Sequence, residues 1–430
     1  MIEGRQWVRT AADRARSAVE MVVDPHTGLE NIYRRFGPVS TLGVGPFRYV
    51  YLLGPDANRF VIGHSELFGW REAFDPLAVV DGETALIVSD GADHQRRRRL
   101  VTPAFHRRHV DGYARTMRAN VDAAIDSWGQ GQVIDVYQEL RRVIRRSTIE
   151  VLFGPRLAAD EPELGRLLQH ALAVVDRPPP WQQWQRLGTP AWRRAVAARQ
   201  AVAQRSSIAA ANPDDERQDV LALLVGSQDE DGSGLTDVEI VDQVISLIAA
   251  GYETTSAAMG WAVHAALADP EVWQQAQDSI TTPGWRYVDG VVSETLRLHP
   301  PAVISARKVV HPFEFVGERV SAGSLLIYSP YVTHRLPELW PQPLRFAPER
   351  WDPKRPGYHR PAPYEYLPFG GGTHRCLGST FASTEMTVLL EELLGRTRLR
   401  LESVDPRPVS LTVMRPRRGP FALVRAREWY

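Results

Sequence analysis

The most informative segment of the sequence is Phe369-Gly370-Gly371-Gly372-Thr373-His374-Arg375-Cys376-Leu377-Gly378. Three consecutive glycines are costly in conformational entropy, so they indicate a tight loop and a close approach of the backbone to a flat ligand. Cys376 opens a predicted helix over about 377–394, and the free N–H groups at a helix start favour a thiolate. It is the only cysteine, which excludes an internal disulfide, a thiolate-rich zinc site and a cysteine-ligated iron–sulfur cluster. A buried spectator, a nucleophile and the single thiolate ligand of a haem remain.

The composition is that of a globular protein. Of 430 residues, 43% are hydrophobic and 24% are charged, which excludes a disordered or collagen-like chain. Lys+Arg and Asp+Glu both number 51, so the net charge of zero disfavours a nucleic-acid binder. The run Arg96-Arg97-Arg98-Arg99 is the only feature that favours one. Seven charged residues interrupt the stretch before Asp24, so we expect a cytoplasmic protein without a membrane anchor.

The chain divides into segments that differ in composition and in predicted secondary structure. Residues 39–53 look extended, 55–300 look mostly helical, and 341–372 are dense in proline and glycine. Short strands are predicted at 313–316 and 325–328. A C-terminal hairpin is predicted between 411–414 and 421–424.

No linker separates two hydrophobic cores. The sequence therefore predicts one large, mainly α domain over 1–430 with small β-sheets. It has a helical lead-in over 1–30 and a β-rich, irregular region over 300–375.

The longest predicted helix runs over 236–268. Thr236 and Glu239 have the spacing of a capping box, and apolar residues follow at helical intervals. Its middle holds a small polar group, Glu253-Thr254-Thr255-Ser256. A threonine in a helix more often bonds to a carbonyl of the preceding turn than it takes part in chemistry.

The spacing Phe-x-x-Gly-x-x-x-Cys-x-Gly resembles the haem-binding loop of the cytochrome P450 family. Two distant motifs resemble the same family: Glu294-Thr295-Leu296-Arg297, and Pro348-Glu349-Arg350-Trp351. The resemblance covers about 35–425. It implies the P450 fold and a haem b, with Cys376 as the iron ligand and Phe369, Gly370 and Gly378 beside the cofactor. It further implies a structural charge network of Glu294, Arg297 and Arg350.

The segment Ala250-Gly251-Tyr252-Glu253-Thr254-Thr255 resembles the oxygen-binding part of the family's long helix. The resemblance implies that the haem approaches at Ala250 and Gly251. Thr254 would hydrogen-bond the distal oxygen, and Glu253 would relay protons.

Cations are needed for the haem carboxylates. His94 and Arg98 are four positions apart, so they share a helix face, and they resemble the family's propionate-binding pair. Arg307 and His374 lie where the family has further propionate ligands.

The implied reaction is that of a haem-thiolate monooxygenase, which uses O₂, two electrons and two protons. A peroxide-driven oxidase or a haem isomerase is the alternative, and the acid–alcohol pair Glu253-Thr254 argues against it. The resemblance implies ferredoxin and ferredoxin reductase as electron donors. We expect a monomer with a docking patch of Arg96, Arg97, Arg99 and Arg375.

The substrate pocket is predicted to be apolar with few polar anchors. Its candidate residues are Trp70, Arg71, Phe74, Ile87, Leu247, Ala250, Val303, Ile304 and Ser305. The segment 178–184 is expected in a lid. A medium-sized natural-product intermediate of a bacterial secondary pathway is the expected substrate, hydroxylated or closed into a ring. A fatty acid held by Arg71 is the alternative.

Overall fold

The computed structural model describes residues 2–43, 48–174, 187–211, 219–282, 284–410 and 412–425. Helices form most of it. They are α1 Ile2–Val23, α2 Pro25–Phe36, α3 Pro55–Gly63, α4 Arg71–Phe74, α5 Ala78–Asp81, α6 Gly91–Val101, α7 Arg107–Asp126, α8 Val136–Ala159, α9 Glu161–Leu172, α10 Pro190–Ala210, α11 Val220–Val225, α12 Asp237–Ala268, α13 Pro270–Thr281, α14 Tyr287–Leu298, α15 Pro330–Thr333 and α16 Ser379–Arg396.

The strands form small sheets at the edge of the helical body. They are β1 Val39–Leu42, β2 Tyr49–Leu52, β3 Phe68–Gly69, β4 Val133–Asp135, β5 Ser305–Val309, β6 Phe313–Phe315, β7 Glu318–Val320, β8 Leu325–Tyr328, β9 Leu399–Val409 and β10 Arg415–Val424. One sheet has the order β1-β2-β8-β5-β3, a second β4-β10-β9, and β6 pairs with β7. The mainly α class with small sheets is thus confirmed.

Helix α12 is the axis of the main core. The predicted capping box is present, because the Thr236 hydroxyl accepts from the Glu239 N–H and the Glu239 carboxylate accepts from the Thr236 N–H. Its 32 residues span about 48 Å at 1.5 Å per residue. Buried side chains line it on almost all sides, and they share one hydrophobic cluster with α7, α8, α14 and α16. A helix that is buried on most sides is held firmly by its neighbours, so it can position a site precisely.

The predicted strands at 39–53, 313–316 and 325–328 are found, but the C-terminal hairpin differs. Strand β10 pairs with β9 in antiparallel register, Arg415 opposite Val409 and Val424 opposite Leu399. Residues 412–414 lie in the turn instead of in the predicted strand. The sequence prediction missed β9 because its alternating Arg, Glu and Pro residues read as loop.

None of the helices in the described ranges has the length and hydropathy needed to cross a bilayer. The expected lid segment 178–184 lies outside the described residues.

Candidate active site

Each glycine of the cysteine loop has its own steric reason. Gly370 and Gly372 have φ of 64° and 68°, a left-handed backbone that favours glycine. A Cβ at Gly371 would lie 2.8 Å from the Ile62 side chain of α3. The loop closes where the Cys376 N–H donates to the Phe369 carbonyl at 2.9 Å. The tight loop is therefore present, and the close approach at Gly371 is to α3.

The Cys376 thiol lies just before α16. Part of the Cys376 surface is accessible to solvent, but many protein atoms surround the sulfur. The resulting desolvation raises the pKa of the thiol. The Gly378 N–H and the positive charges of Arg98 and Arg375 act in the opposite direction and favour the thiolate. The nearest charges and the Gly378 N–H therefore stabilise the ligating form of the sulfur against the effect of burial.

A buried charge network is built around the Glu294 carboxylate. Arg297 donates two hydrogen bonds of 2.8 Å to the Glu294 carboxylate, and both side chains are fully buried. The same carboxylate accepts from the Ala347 N–H and from the Trp351 indole, each at 3.0 Å. Arg350 approaches it at 3.5 Å. The structure thus brings Glu294, Arg297 and Arg350 together as the resemblance implies.

One face of the long helix α12 is open. Leu247 and Thr254 are half-buried and Ala250 is exposed, although most of their neighbours along the helix are buried. The spacings of three and four place these side chains on one stripe. Gly251 also has a packing role, because a Cβ there would lie 3.2 Å from the Thr148 methyl of α8. Gly251 therefore lets α8 pack closely, and Ala250 lines the open face.

The polar group of α12 is already paired. The Glu253 carboxylate forms a short ion pair with Arg141 of α8. The Thr254 hydroxyl donates to the Ala250 carbonyl at 2.6 Å. The two side chains thus do not bond each other, and the ordinary helical bond of a threonine is the one observed.

Three of the four proposed propionate ligands meet around one tryptophan. The His374 ring stacks on Trp70 with centroids 3.8 Å apart, and the His94 ring, tilted by 32°, has its centroid 4.0 Å from that of His374. The Arg307 guanidinium lies 4.1 Å above the Trp70 ring. Burial, together with the charges of His94 and Arg307, lowers the pKa of His374 to about 3. Arg98 lies apart from this stack and donates to the Arg375 carbonyl at 2.7 Å.

The predicted docking patch is wrong in part. Arg97 is buried and donates to Glu239 at 2.7 Å, so it cannot face a partner. Arg96 also pairs with Glu239, at 2.9 Å, and Arg99 pairs with Asp229 at 2.8 Å. Successive residues of a helix are about 100° apart, so a run of four arginines cannot share one face. Arg375 is exposed, as expected.

Several side chains that were proposed to contact the substrate are paired or packed within the protein. Arg71 pairs with the Glu83 carboxylate and donates to the carbonyls of Glu83 and Val88. The Trp70 indole donates to the Ile87 carbonyl at 2.8 Å. Val303 is fully buried and belongs to the core between α2 and the first sheet.

The remaining candidates keep partial exposure. Phe74 stacks on Trp70 at 4.2 Å, and the Ser305 hydroxyl accepts from Arg307 at 3.1 Å. Ile87 and Ile304 are half-buried.

Two residues of the site were missed by the sequence reasoning. Asp90 caps α6, accepts from the Trp70 N–H at 2.5 Å and lies 3.8 Å from His374. Arg141 holds Glu253 from 112 positions away. An Asp directly before a helix is a recognisable cap. No local signal marks Arg141, because its partner is set by the packing of α8 on α12.

Comparison with known proteins agrees with this geometry. The family model "Cytochrome P450" matches residues 19–423, and the chain belongs to that family. It is 48% identical over 389 residues to the putative cytochrome P450 139 of Mycobacterium tuberculosis, with 86% of this chain and 90% of the relative covered.

Two relatives from Streptomyces carry functional names. The chain is 36% identical to the cyclooctatin synthase of Streptomyces melanosporofaciens, covering 89% of this chain and 85% of that one. It is 31% identical to the pentalenene oxygenase of Streptomyces avermitilis, covering 89% of each. A retinoic acid-bound cyanobacterial CYP120A1 has the same fold, with a TM-score of 0.83 at 24% identity over 94% of this chain and 95% of the other.

The chain is therefore a haem b monooxygenase of the P450 class, and its residues fit that cofactor. Cys376 is accessible at the start of α16, and Ala250 is exposed on an otherwise buried helix. Gly378 has φ of −83°, and a Cβ placed on it would have no described atom within 4 Å, so no protein contact requires a glycine there. The accessible Cys376 and the exposed Ala250 leave room for a haem between the cysteine loop and α12, and a glycine at 378 is compatible with its close approach.

Proposed function

We propose that this enzyme oxidises an apolar terpene hydrocarbon or a sparingly oxygenated terpene. The observation that carries the proposal is the pairing of Arg71. Its guanidinium pairs with Glu83 and donates to two backbone carbonyls, so binding a substrate carboxylate would replace contacts that it already makes. This pairing disfavours the fatty-acid alternative, which relies on Arg71 as its anchor.

The other polar groups near the open face are also satisfied internally. Asp242 accepts from the N–H and hydroxyl of Thr84, at 3.0 and 2.8 Å. Gln243 bonds the Leu86 N–H and the Thr84 carbonyl. Within the described part of the chain, the open stripe of α12 therefore offers a ligand mainly apolar surface. The names of the two Streptomyces relatives support a terpenoid substrate.

In this proposal the bound haem supplies the iron at which O₂ is activated. Cys376 would hold that iron, and Arg98 and the Gly378 N–H favour the thiolate form of its sulfur. Leu247 and Ala250 would orient the substrate and exclude water from the open stripe of α12. The Thr254 hydroxyl, released from the Ala250 carbonyl, holds and passes a proton, and Glu253 resupplies it.

The substrate class is tested by titrating the enzyme with ligands and recording the haem spin state. Terpene hydrocarbons should give a tight spin shift, which Ala250→Phe abolishes by filling the open stripe. Arg71→Ala should leave the shift unchanged. Tight shifts with long-chain fatty acids that Arg71→Ala removes would overturn the proposal.

Family members take their electrons from redox partners, and we propose that an acidic ferredoxin is the donor. Arg107, Arg108 and Arg375 are exposed and form no ion pair with the described residues. They adjoin a groove between α6 and the cysteine loop, lined by Arg98, His106 and Gly372 among others. Arg107→Glu/Arg108→Glu should slow reduction by ferredoxin, and more so at low salt. The matched control is Arg115→Glu on the same helix. The monomeric state and the cytoplasmic location stay predictions.

A further inference from the structure

His334 joins the buried charge network to the cysteine loop. It directly follows α15 and its side chain is fully buried. One ring nitrogen, Nδ1, lies 3.1 Å from the Arg297 carbonyl. The other, Nε2, accepts a hydrogen bond from the Leu367 N–H at 2.8 Å. A carbonyl only accepts, so the proton must lie on Nδ1 and the ring is neutral.

The link to Arg297 is reciprocal. The Arg297 guanidinium donates to the His334 carbonyl at 2.7 Å, while the His334 ring donates to the Arg297 carbonyl. His334 is thereby fixed to the end of α14 at two points. Its bond to Leu367 is the one that carries this fixed position into the loop.

Leu367 begins the segment that ends at the cysteine. Two residues later, the Phe369 carbonyl accepts from the Cys376 N–H at 2.9 Å. Two further contacts hold the start of this segment: the Tyr366 hydroxyl donates to the Ser293 carbonyl, and the Asn58 amide donates to the Tyr364 carbonyl, each at 3.0 Å. Among the three contacts that His334, Ser293 and Asn58 make with this segment, the His334 bond lies nearest in sequence to the cysteine turn. It is also the one of the three in which the segment contributes a backbone N–H.

We propose that His334 is a positioning residue that fixes where the 367–376 loop lies, and with it the position of the Cys376 sulfur. The ring acts through one acceptor atom, because without it the Leu367 N–H loses its partner. The loop can recover a partner only by moving towards water, which displaces Phe369 and the cysteine turn. Burial and the charge of Arg297 lower the pKa of His334 to about 3, so the accepting form persists at any working pH.

Two substitutions separate the two bonds. In His334→Gln, the amide reaches the place of Nε2 and can still accept from Leu367. In His334→Asn, the shorter side chain reaches only the place of Nδ1, so the Arg297 bond is kept and the loop bond is lost. Both variants place a polar group of similar size in the same buried site, so a general loss of packing affects them alike.

The readout is the Soret band of the ferrous–CO complex of the purified holoenzyme, with haem transfer to apomyoglobin as a second measurement. The Gln variant should keep the band of thiolate ligation. The Asn variant should show a mixture with the shorter-wavelength form and about tenfold faster haem loss, the factor expected for about one lost hydrogen bond. Thr295→Val is the matched control, because its buried hydroxyl bonds only the Val291 carbonyl of the same helix.

Two results would overturn the proposal. Asn and Gln variants with the same spectrum, native or shifted, would show that the loop bond does not set the sulfur position. A lower melting temperature of the Asn variant with a native spectrum would show that His334 only stabilises the fold.

Discussion

Arg141 of α8 and Glu253 of α12 form an ion pair directly beside Thr254, the residue that faces the open stripe of the long helix. Both side chains are largely buried, with 12% and 14% of their surface exposed. The Arg141 guanidinium also lies 5.5 Å over the Tyr252 ring. The Glu253 carboxylate is therefore held by a neighbouring helix.

The first prediction concerns this pair. Arg141→Met leaves the Glu253 carboxylate buried without its partner, which should lower the free energy of unfolding by about 3 kcal/mol. The double variant Arg141→Met/Glu253→Met should recover most of that loss, because neither charge remains. Urea unfolding of the single and double variants measures the coupling. Additive losses would show that the pair contributes nothing.

The second prediction concerns the hydroxyl of Thr254. Thr254→Ala should lower product per electron and raise peroxide release, while Thr254→Ser should retain most of the coupling. Thr255→Val is the control, since Thr255 is buried beside it and does not face the open stripe. Electron consumption, peroxide and product are measured together. Unchanged coupling in Thr254→Ala would favour a peroxide-driven oxidase.

A third prediction concerns the charge beside the sulfur. Burial raises the pKa of the Cys376 thiol and Arg98 opposes that rise. Arg98→Gln should therefore raise the pH at which the thiolate form of the ferrous–CO complex is lost. The change is followed as the ratio of the two Soret bands from pH 5 to 9. An unchanged midpoint would mean that Arg98 does not act on the sulfur.

The fourth prediction concerns Asp81 of α5. Burial raises the pKa of this carboxyl to about 7, although Ser246 and Arg199 favour its charged form. Between about pH 4 and 7, Asp81 is protonated in the folded protein and ionised in the unfolded chain. The free energy of unfolding therefore falls as the pH rises through this range. Asp81→Asn should remove this loss and gain on the order of 2–4 kcal/mol at pH 8.

Urea unfolding at pH 5 and pH 8 measures the gain. The exposed Asp93→Asn is the control. An equal effect of Asp81→Asn at both pH values would contradict the raised pKa.

Spacing along the chain predicted the parts of the site that local geometry fixes. Glu294 and Arg297 are three apart on one helix, and Cys376 follows the glycines by a fixed number of positions, so both motifs could be matched to those of the family. Their roles in the charge network and in binding the iron were implied by that resemblance. Arg350 was placed by resemblance to the family, and it does approach Glu294.

Partners that depend on packing were not predictable. Arg141 meets Glu253 because α8 lies on α12, and Gly251 faces α8 for the same reason. The burial of Arg97 could have been found, since neighbouring positions on a helix point in different directions. No pattern could have shown that Arg71 has Glu83 as its partner, because Arg71 begins the short helix α4 and Glu83 lies in a turn 12 positions further along the chain.

The three glycines of the cysteine loop also determine which sequence changes the enzyme can tolerate. At Gly370 and Gly372, any side chain meets a backbone conformation that costs about 1–2 kcal/mol. At Gly371 the obstacle is only the Ile62 side chain. An alanine at 371 can therefore be inherited together with a smaller residue at 62, as a correlated pair of changes, whereas the two flanking glycines have no such compensating partner.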